Sequence, residues 1–189
     1  MDRITTREFL DWAVERNVVP DARYSHSERD YYNLRFATEQ SEAVKISQVW
    51  EIPYQTDENQ QDEVRLYYVS AALQAMDSWQ TVGVLKKERG WPRAEIDPWE
   101  AVVLAPLGIP DSYDGALRFD RSEFAALYSI ALTLSVFGWN VAFDLFIVPD
   151  HGEQMLQFNH DHGVIGIFAS EAARDRFTAR MRAREISPA

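Results

Sequence analysis

Three short runs that are rich in apolar and aromatic residues follow one another near the C-terminus, at residues 141–148, 154–159 and 164–169. The connectors between them read Pro-Asp-His-Gly and His-Asp-His-Gly. Such short connectors with glycine suit hairpins, whereas a parallel crossover needs about a dozen residues or more. The sequence therefore predicts three strands in an antiparallel meander.

A helix is predicted immediately before this meander. Asp120 can cap its first turn, Glu123 completes a capping box, and Gly138 supplies a C-terminal stop. Apolar side chains between these two ends cover nearly every face of the helix. A helix of that kind is buried rather than half-solvated, so we expect one buried helix at the centre of the core.

Two further helices have recognisable starts. Thr5 and Glu8 have the spacing of a capping box, in which the hydroxyl and the carboxylate each accept a hydrogen bond from a free backbone N–H. Ser170 is the expected cap of a last helix that runs to about Arg184. These signals place helices at both ends of the chain.

The remaining segments give shorter local patterns. We expect a strand at 31–37, a helix at 41–50, an exposed loop at 51–63, a strand at 64–69 and a buried strand at 101–105, while 71–88 fits either a helix or a strand. This order lacks the regular alternation of a doubly wound fold. The sequence predicts an α+β fold, an antiparallel sheet packed with helices, in a single globular domain of residues 1–189.

Composition argues against several classes of function. The 19 Lys and Arg against 30 Asp and Glu give a net charge of −11, which repels phosphate backbones and anionic lipid, so neither nucleic acid nor a membrane is an expected partner. Without cysteine there is no disulfide and no thiolate nucleophile. The N-terminus lacks the apolar stretch of a secretory signal, which predicts a cytoplasmic location. No phosphate loop, dinucleotide fingerprint or nucleophile elbow occurs, so no cofactor is expected.

Residues 51–63 combine five carboxylates with no Lys or Arg, and three aromatic residues lie in or beside the segment: Trp50, Tyr54 and Tyr67. Clustered carboxylates steer association with cationic surfaces, and aromatic side chains are the usual anchors of interfaces. The alternative interpretation is an ordinary solvated loop. We predict a partner-binding surface that consists of Glu51, Tyr54, Asp57, Glu58, Asp62 and Glu63.

The histidines suggest a different class of function. His151 and the sequence His160-Asp161-His162 offer imidazole and carboxylate groups, which are ligands for zinc and related metals. The flanking glycine and apolar runs place them in turns, where polar residues serve backbone geometry, so no metal site is predicted. A small metal-assisted hydrolase that uses these three histidines with Asp144 or Asp161 is kept as the alternative.

The last helix carries five arginines in an otherwise anionic chain: Arg174, Arg176, Arg180, Arg182 and Arg184. Like charges at i, i+4 and i+8 repel one another unless acidic groups face them. We expect those groups to come from the protein itself, with a phosphate or RNA site on this helix as the alternative.

These observations favour a cytoplasmic acidic module that binds a basic protein. One concrete form is an immunity or inhibitor protein that neutralises a nuclease-type toxin, because an enzyme that holds nucleic acid has a cationic cleft that carboxylates can occupy. Apart from the hydrolase, an oligomeric structural protein that associates through its aromatic residues is a further alternative. The sequence does not predict the oligomeric state.

Overall fold

The computed structural model describes residues 1–20, 33–37, 46–86, 91, 102, 104–110, 113–137, 145–159 and 163–188. Its strands are β1 (Asp2–Ile4), β2 (Val18–Pro20), β3 (Leu34–Phe36), β4 (Ile46–Trp50), β5 (Thr81–Lys86), β6 (Ala116–Asp120), β7 (Leu145–Pro149), β8 (Gln154–Asn159) and β9 (Gly163–Phe168). Its helices are α1 (Thr6–Val14), α2 (Glu58–Ala75), α3 (Phe124–Phe137) and α4 (Glu171–Arg182). The α+β fold is confirmed.

Seven strands form one antiparallel sheet in the order β1-β6-β5-β7-β8-β9-β4, and β2 pairs with β3 separately. One face of the large sheet packs against α2, α3 and α4. The other face packs against α1 and the β2–β3 pair. Because both faces are covered, successive residues of a central strand are buried on opposite sides, as Phe146 and Ile147 are in β7.

The C-terminal strands pair in chain order. Leu156 of β8 lies opposite Ile147 of β7 on one side and Gly166 of β9 on the other, both antiparallel. β5 and β4 extend the sheet beyond β7 and β9. These three strands are thus the middle of a larger sheet; residues 141–144 of the first predicted run lie outside the described residues.

Helix α1 begins as the capping box predicts. The Thr5 hydroxyl accepts from the backbone N–H of Glu8 at 3.1 Å, and the Glu8 carboxylate accepts from the Thr5 N–H at 2.7 Å. The helix lies directly on β5, because a Cβ atom at Gly83 would be 2.7 Å from a ring carbon of Phe9. A residue without a side chain is therefore needed at that point of the sheet.

Helix α3 differs from its prediction in the extent of its burial. The capping box of Asp120 and Glu123 is present and encloses a short 3₁₀ turn before the helix. Among the side chains that the structure describes in this helix, four are fully enclosed, namely Leu127, Ile130, Ala131 and Leu134, whereas Ala125 and Ser129 are exposed. Helix α3 packs beside α2 and over β6 and keeps one face in solvent. Its apolar residues therefore exceed what the buried face can enclose.

Helix α2 corrects two predictions. Residues 58–63 were expected in a loop and 64–69 in a strand, but both belong to this helix. Its buried face includes the polar residues Gln61 and Arg65 next to Val69 and Ala72. Polar residues on the buried face conceal the helical period, and the alternation of Val64, Leu66 and Tyr68 then resembles a strand.

The other short segments give a mixed outcome. Residues 46–50 form β4 instead of the expected helix, because they pair with β9, which is distant in sequence. β3 lies within the strand predicted at 31–37. Segment 71–88 contains both the end of α2 and β5. Val102, Leu104 and Ala105 are helical, so the buried strand predicted at 101–105 is wrong for them. Of these predicted segments, residues 31, 32, 41–45, 87, 88, 101 and 103 lie outside the described residues.

Within the described ranges, every helix is too short or too polar to cross a bilayer.

Candidate functional site

The six residues Glu51, Tyr54, Asp57, Glu58, Asp62 and Glu63, here called the acidic surface, lie between the end of β4 and the second turn of α2. Asp57 is the N-cap of α2: its carboxylate accepts from the backbone N–H groups of Asn59 and Gln60 at 2.9 and 3.1 Å. The backbone N–H of Gln55 donates to the side-chain oxygen of Gln61 at 2.6 Å. These bonds hold the segment that carries Tyr54 against the start of the helix.

The carboxylates of this surface differ in the interactions that they form. Asp57 serves the helix cap, and Asp62 forms an ion pair with Arg65 at 3.3 Å. Burial lowers the pKa of the Arg65 guanidinium, and the Asp62 carboxylate opposes that change. Glu51, Glu58 and Glu63 are exposed, and none of the basic side chains in the described part of the chain pairs with them. Three carboxylates are therefore free to face a partner.

The aromatic residues near this surface have separate roles. Tyr54 is 77% exposed, and Tyr67, one turn after Glu63 on the same face of α2, is 48% exposed. Trp50 is completely buried and packs edge-on against Phe177, with 5.1 Å between ring centroids. Tyr54 is available to an interface, whereas Trp50 belongs to the core.

Three of the five arginines predicted for the last helix find acids within the protein, whereas Arg182 and Arg184 have no acidic partner among the described residues. Arg180 pairs with Asp77, and Arg176 pairs with Asp77 and Glu153. Arg174 pairs with the neighbouring Glu171 and Asp175 on its own helix. None of these carboxylates belongs to the acidic surface. The last helix therefore leaves the charge of that surface uncompensated.

A second polar group, which sequence reasoning missed, lies where the β7–β8 turn meets α4. His151 is half-buried there, and burial lowers the pKa of its imidazole, against the effect of the carboxylates of Asp77, Glu153 and Asp150. Asp77 and Glu153 share Arg176, so the group is held together by ion pairs. Its members come from three distant segments, and no local pattern could have indicated their proximity.

The structure describes only some of the residues that the metal-assisted hydrolase would use. His160, Asp161, His162 and Asp144 lie outside the described residues. Across the ranges that are described, no three His, Asp or Glu side chains come together as a metal-binding group. Of the three proposed histidines, the structure positions only His151, among carboxylates that arginines already engage.

Comparisons with models of protein families, with curated proteins and with solved structures found no match.

Proposed function

We propose that this protein is a cytoplasmic binding module whose acidic surface engages a basic protein. The observation that carries the proposal is the set of three exposed carboxylates, Glu51, Glu58 and Glu63, without an internal counter-ion in the described part of the chain. Tyr54 offers a largely exposed aromatic ring in the same segment. An aromatic anchor among carboxylates suits a partner rich in Arg or Lys.

The electrostatics of the whole chain support the same partner. A net charge of −11 accelerates encounter with a cationic protein and disfavours encounter with nucleic acid or anionic lipid. Carboxylates near a helix N-terminus are also stabilised by the helix dipole, which lowers the cost of gathering them on α2. A surface of this type can be strongly acidic without destabilising its own fold.

The concrete form that we propose is an immunity or inhibitor protein for a nuclease-type toxin. A nuclease holds its substrate in a cationic cleft that is shaped for phosphate groups. A protein that presents carboxylates at comparable spacing competes for that cleft. Inhibition then follows from occupancy, and the bound protein needs no catalytic group of its own.

The test compares three bait proteins in affinity capture from the native cell extract. The surface variant carries Glu51→Gln, Glu58→Gln and Glu63→Gln. The control variant carries Asp11→Asn, Glu15→Gln and Glu171→Gln, which remove three exposed carboxylates from α1, the residue that follows it and α4. Both variants change the net charge by the same amount and keep the cap residue Asp57.

We expect the unmodified protein and the control variant to retain a basic protein that the surface variant loses. If that protein is a nuclease, the unmodified protein should inhibit its activity. Equal retention by all three baits contradicts the proposed surface. Retention of an acidic or neutral protein contradicts the proposed class of partner.

A further inference from the structure

The turn between β7 and β8, residues 150–153, is attached to three other parts of the fold. At its start, the Asp150 carboxylate accepts from the backbone N–H groups of Gln80 and Thr81 at 3.2 and 3.0 Å. Those bonds fasten the turn to the connection between α2 and β5. In its middle, Gly152 has φ +68°, and a Cβ atom there would be 3.0 Å from the carbonyl oxygen of Arg16. The turn therefore also packs closely against the end of α1.

The end of the turn is attached to α4. Glu153 forms an ion pair with Arg176, which is also 3.7 Å from the second oxygen of Asp77. Arg180 pairs with the first oxygen of Asp77 and donates to the carbonyl oxygen of Ala75 at 3.0 Å. One connected set of ion pairs thus joins the turn, α4 and the end of α2.

His151 lies inside this set with its two ring nitrogens in different situations. Nδ1 accepts a hydrogen bond from the backbone N–H of Glu153 at 3.1 Å, so this nitrogen carries no proton. The neutral imidazole therefore holds its proton on Nε2, which is buried and has no partner within the described structure. The present hydrogen bond can exist only while His151 is neutral.

The charged groups around His151 supply an alternative arrangement. The carboxylates of Asp77, Glu153 and Asp150 attract an imidazolium, Arg176 repels it, and Arg16 lies on the α1 side of the turn. Oδ2 of Asp77 is buried without a hydrogen-bond donor in the described residues. An imidazolium that turns towards Asp77 finds an oxygen there that accepts no hydrogen bond, and it competes with the two arginines for that carboxylate.

We propose that the β7–β8 turn is a proton-operated latch: protonation of His151 at Nδ1 breaks its bond to the Glu153 N–H, turns the imidazolium towards Asp77 and loosens the turn from α4. The proton comes from solvent, and the group gains one positive charge. The latch is independent of the proposed binding function, because no residue of the acidic surface takes part.

The direction of the pH dependence follows from the burial of His151. Burial holds the pKa of the imidazole below the value of about 6.5 that an unfolded chain shows. The folded protein therefore takes up this proton less readily than the unfolded chain does. The hydrogen bond from the Glu153 N–H to His151 Nδ1 is intact above about pH 6.5, and it is lost as the pH falls through the lowered pKa of His151.

The test measures the protection of the Glu153 amide against hydrogen exchange in the unmodified protein, in a pH series that starts at about pH 7.5 and is lowered as far as the protein stays folded. His151→Gln is the informative variant, because its amide oxygen can accept the same N–H but takes up no proton. His26→Gln is the matched control, which removes a histidine from another part of the sequence.

We expect the protection factor of the unmodified protein and of His26→Gln to fall about tenfold or more on acidification. In His151→Gln it should stay nearly constant. Constant protection across the whole pH series in the unmodified protein overturns the latch, and so does an equal fall in His151→Gln. If His151→Gln does not fold, the unmodified protein decides the question alone.

Discussion

The hydroxyl group of Tyr67 donates a hydrogen bond to the carbonyl oxygen of Arg184, 2.5 Å away. The two residues lie 117 positions apart, on the outer face of α2 and just beyond the end of α4. Ile186, two residues further, is buried in the core. The bond therefore fastens the C-terminal segment to the helix that carries half of the acidic surface.

Replacing Tyr67 tests this attachment. Tyr67→Phe removes only the hydroxyl, and we expect the free energy of unfolding in urea to fall by about 0.5–1.5 kcal/mol, the range for a net hydrogen bond. The backbone amides of residues 183–186 should also exchange faster. Tyr54→Phe is the control, since its hydroxyl has no hydrogen bond within the described residues and its ring is 77% exposed. Equal unfolding energies for both variants would show that the attachment adds no stability.

Gln154 gives a second prediction about stability. It is completely buried in β8, and neither polar atom of its amide has a partner in the described structure. An unsatisfied buried amide costs about 1–3 kcal/mol, so Gln154→Met should raise the free energy of unfolding by an amount in that range.

Gln157 is the matched control on the same strand. It is 4% exposed and engaged by a partner, so Gln157→Met should lower the free energy of unfolding. The two substitutions are chemically identical and should change stability in opposite directions. A loss of stability in Gln154→Met would mean that an internal group, such as a buried water molecule, satisfies this amide.

The capping box of α1 predicts a pH dependence. Hydrogen bonds from the Thr5 hydroxyl and backbone N–H lower the pKa of the Glu8 carboxyl below its ordinary value of 4.5. Because the folded-state pKa is the lower one, these bonds stabilise the fold above that pH, and their contribution is lost as the pH falls through the folded pKa. Glu8→Gln should therefore reduce the slope of unfolding free energy against pH as the pH falls below about 4.5.

Glu63→Gln serves as the control for this titration. It removes an exposed carboxylate that has no partner among the described residues. The slope of unfolding free energy against pH for Glu63→Gln should be closer to that of the unmodified protein than the slope for Glu8→Gln is. Parallel slopes for all three proteins would contradict the role of the capping box in acid stability.

How much the sequence could predict depends on the range of the interactions. The starts of α1, α3 and α4 depend on contacts between residues three positions apart, and the sequence identifies all three. The place of β4 depends on pairing with β9, more than 100 residues later, so the local pattern suggested a helix. Short-range interactions such as helix caps can be identified from a sequence, whereas pairing between strands that are distant in the chain cannot.

The acidic surface shows the same division. Composition identifies Glu51, Glu58 and Glu63 as solvent-facing residues, and the structure places all three in solvent. Composition does not indicate that Asp57 caps α2 or that Asp62 pairs with Arg65. Those two acids have roles in the fold, which is why the surface variant leaves them unchanged.

The most direct test of the acidic surface is a titration of the captured basic protein with the unmodified protein, the surface variant and the control variant. The measurement is made at low and at raised salt, because exposed charges are screened over about 8–10 Å at physiological ionic strength. We expect the surface variant to bind at least about tenfold more weakly than the control variant at low salt, and we expect raised salt to reduce this difference in affinity. Equal affinities of the two variants, or binding that does not respond to salt, would contradict the proposed surface.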